Sequence, residues 1–164
     1  MGLARRPFPT RRLIVLALTT APTTGFAAPC PATKVLFVCP AGTVKSAIAR
    51  EMLRSRVQTE GLAVIVASRG LKPEDHVSVA LASNLHADGL DPTREPALAL
   101  APADVAGADV VVAFDEAAGS PLLSKARAWR TPSWNADYAA AKADLATRLD
   151  DLIAELRARK GGCR

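Results

Sequence analysis

Two hydrophobic rhythms alternate along the chain. Val35–Val38, Ala63–Ala67 and Val110–Phe114 are short unbroken apolar runs, the length and character of strands covered on both faces. Between and after them the apolar positions recur at helical spacing. Ile48, Met52, Leu53 and Val57 share one face of a helix predicted over Lys45–Thr59. Val79, Leu81, Leu85 and Leu90 do the same over Val77–Leu90, and Leu145, Leu149, Leu152, Ile153 and Leu156 over a long helix from Ala139 to Arg159. Pro92, Pro96 and Pro102 punctuate a loop before the third strand, and Leu122–Trp129 predicts a short helix running into a fourth. Strand–helix alternation of this kind is the signature of an α/β protein, a parallel sheet with helices on both faces.

The first 27 residues break the rhythm. Arg5, Arg6, Arg11 and Arg12 precede an apolar stretch, Leu13–Leu18, and Gly25-Phe26-Ala27 closes it with small residues. This is the pattern of a cleaved secretory signal peptide, with the mature domain spanning 28–164. Thr10-Arg11-Arg12-Leu13 partly matches a twin-arginine export signal, and no lipobox precedes Cys30. The apolar stretch is too short for a membrane anchor, so a periplasmic or secreted protein is expected, with no membrane attachment after cleavage.

Removing that segment changes the charge picture. The 164 residues carry 21 Lys and Arg against 16 Asp and Glu, and four of the basic residues lie in the leader with no acidic ones. The mature chain is therefore close to neutral, and no basic, aromatic-interleaved patch points to nucleic acid. His76 and His86 have no second histidine or cysteine at ligand spacing, so neither a metal nor a cofactor is expected.

The candidate chemistry lies in Cys39-Pro40-Ala41-Gly42-Thr43-Val44-Lys45-Ser46. A strand ends at a cysteine, a short turn comes next, and Lys45-Ser46 opens a helix. Loop amides and the helix's positive end then converge on one small volume, an anion site with a sulfur beside it. Cysteines in such positions serve as nucleophiles. A buried cysteine closing a core strand is the competing reading.

From about Lys34 to Leu156 the chain resembles the low-molecular-weight protein tyrosine phosphatases and the related thiol-dependent arsenate reductases. Cys39 and Ser46 match that family's Cys-x5-Arg-Ser. Ala67-Ser68-Arg69-Gly70, Ala87-Asp88-Gly89-Leu90-Asp91 and Ala108–Asp115 resemble three further family segments in the same order. The resemblance implies a three-layer sandwich, a four-stranded parallel sheet flanked by five helices. It also implies phosphomonoester hydrolysis through a phosphocysteine on Cys39, with Pro40 to Ser46 binding phosphate or another oxyanion.

The departures from the family pattern are as specific. Lys45 stands where the family has its phosphate-clamping arginine, Ala41-Gly42 replaces Gly-Asn, and Val44 replaces a second cysteine. An ammonium is a point charge and lacks the planar fork of a guanidinium. The family's general acid comes after a tryptophan-bearing fourth strand. If Trp129 is that tryptophan, the position falls on Ser133; if Trp134 is, it falls on Asp137, the one nearby acid expected to serve in catalysis with Cys39 and Lys45, whose other reading is a helix N-cap. Arg69 is placed to replace the missing guanidinium or to stand in solvent. Asp115 is placed to orient the loop through Ser46 or to cap the next helix. Weak phosphatase activity, or a silent oxyanion-binding protein on the same scaffold, are the two functions left open. Arsenate reduction needs further cysteines near the loop, and neither Cys30 nor Cys163 is placed to serve. Those two flank the first strand and the last helix, where a parallel fold brings its ends together, and a disulfide between them is expected.

Overall fold

The structure is a computed structural model, and it describes residues 31–161. The expected signal peptide and both Cys30 and Cys163 lie outside the described residues. Four strands, β1 (Thr33–Cys39), β2 (Val64–Gly70), β3 (Val110–Phe114) and β4 (Arg127–Trp129), form one all-parallel sheet in the order β2-β1-β3-β4. The helices are α1 (Lys45–Thr59), α2 (Val79–Ala87), α3 (Pro102–Ala106) and α4 (Tyr138–Gly161). Three 3-10 turns, Pro92–Arg94, Asp115–Gly119 and Pro121–Leu123, complete the described elements. The α/β class and the four-stranded parallel sheet are those expected from the sequence. Among the described residues there are four α-helices and three 3-10 turns rather than five helices.

Strand β1 explains the architecture. Its residues 35 to 39 are all buried, and alternation sends them to opposite layers. Val35, Phe37 and Cys39 join Ile48, Leu53, Leu81, Leu145, Leu149 and Leu152 in a core against the long helices. Leu36 and Val38 pack on the other face with Ala113, Ala117 and Leu123. Phe37, Phe114 and Trp129 stack across three strands with ring centroids 5.7–6.1 Å apart, so the short β4 is anchored by one aromatic side chain.

Two local expectations fail for identifiable reasons. Helix α2 starts two residues later than predicted, because the Ser78 hydroxyl accepts from Leu81 N and fixes the start. Val79 then lies off the Leu81–Leu85 stripe and is 86% exposed, while Val77 packs on the core from outside the helix. Pro102 begins α3 instead of interrupting a loop: Asp104 accepts from Ala101 N at 2.8 Å, and proline is suited to a first helical position. The segment Leu122–Trp129 follows the expectation in shortened form: the 3-10 turn Pro121–Leu123 leads into β4, with Leu123 buried and Leu122 exposed.

The last helix is tied to β4 by Arg127, which donates to Glu155 at 2.8 Å from Nη2, and Arg159 donates to the same carboxylate. The Arg127 hydrogen bond holds Glu155 down to about 2 against an ordinary 4.5. A depressed carboxylate contributes stability that is complete above its ordinary value and lost as pH falls toward the folded one. Glu155→Gln should therefore lower the melting temperature by at most a few degrees near neutral pH, since the pair is partly exposed. Thermal melts from pH 7 to pH 2 should show that difference shrinking below about pH 4.5 and closing near pH 2.

Candidate active site

In a sheet of this order, β2 lies on one side of β1 and β3 on the other, so the crevice beyond the carboxyl ends of β1 and β3 is the topological switch point. Cys39 ends β1, and Asp115 stands directly after β3. The loop from Cys39 to α1 is built around a close backbone contact. Gly42 has a φ of +76°, and a Cβ there would fall 2.8 Å from Gly70 N; a Cβ on Gly70 would fall 2.8 Å from the carbonyl carbon of Ala41. Leu71 N, Lys72 N and Glu74 N donate to the carbonyls of Cys39, Pro40 and Ala41 at 2.9–3.2 Å. The loop's carbonyls are thus held outward by the chain leaving β2.

Its amides are left for something else. Gly42 N donates to Cys39 Sγ at 3.1 Å. No side chain caps α1, and among the described residues the amides of Thr43, Val44, Lys45 and Ser46 have no hydrogen-bond partner. Uncapped first-turn N–H groups at the positive end of a 15-residue helix are suited to an anion. Ser46, fully buried, places its hydroxyl 3.1 Å from Cys39 Sγ and can donate to Arg69 O at 3.4 Å. It can therefore serve the sulfur in either state, accepting from a thiol or donating to a thiolate.

Lys45 turns toward the mouth of the crevice. Its ammonium forms an ion pair with Asp115 Oδ2 and donates to Thr131 O at 3.0 Å, while Thr131 N donates to Asp115 Oδ1 at 3.3 Å. Asp115 is the one non-glycine residue with positive φ among the described residues, at +50°. That strained backbone sits where three segments meet, a recurring feature of functional sites. Asp115 contacts Lys45 and not Ser46.

A cavity of about 730 Å³ opens over the loop, lined by Cys39, Pro40, Ala41, Val44 and Lys45 from its floor. Asp115, Glu116, Arg130, Thr131, Ser133, Trp134 and Asn135 form the walls. Gly42 and Thr43 instead line a second cavity of about 450 Å³ with Pro73, Pro92 and Pro96. Asp137 does not line the main cavity. The chain turns after Ser133, whose carbonyl accepts from Ala136 N and Asp137 N, and Asp137 Oδ1 then accepts from Ala140 N at 2.9 Å as the cap of α4. Trp129 is the tryptophan of β4, and Ser133, the acid position that this anchor implies by the resemblance, lines the cavity. Arg69 is directed to Asp104 at 2.8 Å and to its neighbour's carbonyl, away from the cavity.

Sequence reasoning did not find Glu116, Arg130 and Asn135 as wall residues. Only their position just beyond β3 and β4 could have signalled them, since ligands in such sheets bind past the strand ends. Among the described residues no group of histidine, cysteine and acidic side chains is placed to hold a metal ion, and no helix is long and apolar enough to cross a membrane.

A cysteine-bearing loop with unpartnered amides thus stands at the switch point of a four-stranded parallel sheet, the arrangement of a cysteine-dependent phosphatase fold. The family model for low molecular weight phosphotyrosine protein phosphatase matches residues 34–157, and the chain belongs to that family. Among solved structures, YfkJ from Bacillus subtilis is similar at 17% identity with a TM-score of 0.65, over 80% of this chain and 98% of that one. SP-PTP, a low molecular weight protein tyrosine phosphatase from Streptococcus pyogenes, is similar at 19% identity and a TM-score of 0.61, over 76% and 93% of the two chains. An arsenate reductase in the phosphate binding state is similar at 18% and 0.60, over 76% and 98%. Likeness at these identities establishes the shared fold. Comparison of the sequence with curated proteins gives no significant match.

Proposed function

We propose that the protein is an exported cysteine-dependent phosphatase acting on phosphomonoesters of the phosphotyrosine type. The observation that carries this reading is Cys39 Sγ held by Gly42 N–H and the Ser46 hydroxyl at the centre of an uncapped helix N-terminus. The Cys39 thiolate attacks phosphorus in line, forming an S–P bond as the ester P–O bond breaks; the leaving oxygen departs as the anion and takes its proton from solvent water. Water then attacks the phosphocysteine, releasing inorganic phosphate and the thiolate. Loop amides and Lys45 balance the charge on the equatorial oxygens.

Serine at the acid position sets the substrate range. A serine hydroxyl is no general acid at neutral pH, so leaving groups that depart as stable anions are favoured, aryl over alkyl phosphates. A second reading, a silent oxyanion-binding protein, is favoured by one observation: Lys45 is committed to Asp115 and Thr131 O. Rapid-mixing assays with an aryl phosphate separate the two. The phosphatase reading expects a burst of phenol release and then turnover, both abolished in Cys39→Ser; phosphate binding without any burst from the wild type supports the silent protein.

Restoring a carboxylic acid by Ser133→Asp should raise turnover on poor leaving groups by an order of magnitude or more and leave activated aryl phosphates nearly unchanged. Steady-state rates across a leaving-group series measure this, and equal effects on all members would reject the role given to Ser133. Export rests on the sequence of residues 1–27. The chain recovered from its host's envelope should begin at Ala28, and full-length protein in the cytoplasm would refute it.

A further inference from the structure

We propose that Arg130 supplies the guanidinium that the loop lacks, so that the oxyanion is clamped by two cations from different elements: Lys45 from α1 and Arg130 from the end of β4. This rests on the reading of Cys39 and its loop as an oxyanion site.

Lys45 cannot do the whole task. An ammonium has three N–H donors, and two are taken by Asp115 and Thr131 O, which leaves one for an incoming oxygen. Arg130 lines the same cavity as Cys39, Pro40 and Lys45. It is exposed, and among the described residues no carboxylate, carbonyl or ring holds its guanidinium. Glu116, on the same wall, forms no ion pair with it. The other arginines around the sheet are spent on structure: Arg50 on Glu51, Ser68 and Pro92 O, Arg69 on Asp104, Arg127 on Glu155, and Arg148 on Asp144.

The backbone that carries Arg130 is fixed while its side chain is not. Arg148 Nη2 donates to the Arg130 carbonyl at 2.9 Å, and the next residue is held through both N and O by Asp115 and Lys45. The base of the side chain is therefore anchored at the cavity mouth by the same ring that positions Lys45. A planar fork on a fixed stem, lining the same cavity as Cys39 and Lys45, suits two oxygens of a phosphate or a similar tetrahedral oxyanion.

The test is titration of the full chain with inorganic phosphate and with orthovanadate, read by calorimetry. Arg130→Ala should weaken both by about tenfold or more, with an unchanged thermal melt because the side chain is unpartnered. Arg130→Lys should recover only part of the loss. Lys45→Arg, which restores a fork within the loop, should return most of the affinity of Arg130→Ala, a non-additive pair expected of groups sharing one ligand. Arg94→Ala removes an exposed arginine outside the cavity and should bind as the wild type does. Undiminished binding in Arg130→Ala, or an equal loss in Arg94→Ala, overturns the role of Arg130 while leaving the oxyanion reading in place. Failure of the wild type to bind either anion overturns both.

Discussion

The contact of Gly42 with Gly70 is the constraint on which the site depends. Two backbones approach so closely that a methyl group on either would meet main-chain atoms at 2.8–2.9 Å. Only glycine permits that approach, and at Gly42 the positive φ adds a second reason. Pressed against the end of β2, the loop gives its carbonyls to residues 71–74 and keeps its amides for the crevice. The strand end holds the loop by exclusion of side-chain volume, together with the hydrogen bonds from residues 71–74.

Charge at the site is divided in a way that a single phosphate-clamping arginine would not need. Lys45, Asp115 and Thr131 form a closed ring joining α1, the end of β3 and the segment after β4. Such a ring fixes the ammonium and lowers the net positive charge that an anion meets. A partly buried pair of this sort gains little stability beyond its desolvation cost, so its worth lies in placing Lys45 and the backbone at 130–131. The proposed clamp takes its second cation from Arg130, whose backbone neighbour the ring also holds.

Helix α1 is itself held rigidly. Arg50, 2% exposed, crosses from α1 to Ser68 on β2 and to the carbonyl of Pro92, and pairs with the carboxylates of Glu51 and Glu95. A buried guanidinium persists only when its donors are satisfied, and the bonds to Ser68 and Pro92 tie the helix carrying the anion site to the sheet and to the loop beyond α2. The direction of the α1 axis, and so the aim of its uncapped amides, is set by that side chain as well as by apolar packing.

The sheet, the long helices and the cysteine-bearing loop are legible in the amino-acid pattern alone. Those depend on local facts: apolar runs at strand length, a 3.6-residue stripe, and a cysteine and a lysine at fixed separation across a tight turn. Val79 and Pro102 were misjudged, because a cap at Ser78 and a side-chain bond from Asp104 outvoted periodicity over only a few residues. Only the tertiary structure decided what the charged residues do. Asp137 caps α4, Arg69 goes to Asp104, Lys45 to Asp115, and Arg130 is left free at the cavity wall. The long-range pairings join groups brought together by strand order, and a polar side chain's partner is chosen by distance in space, which spacing along the chain does not encode.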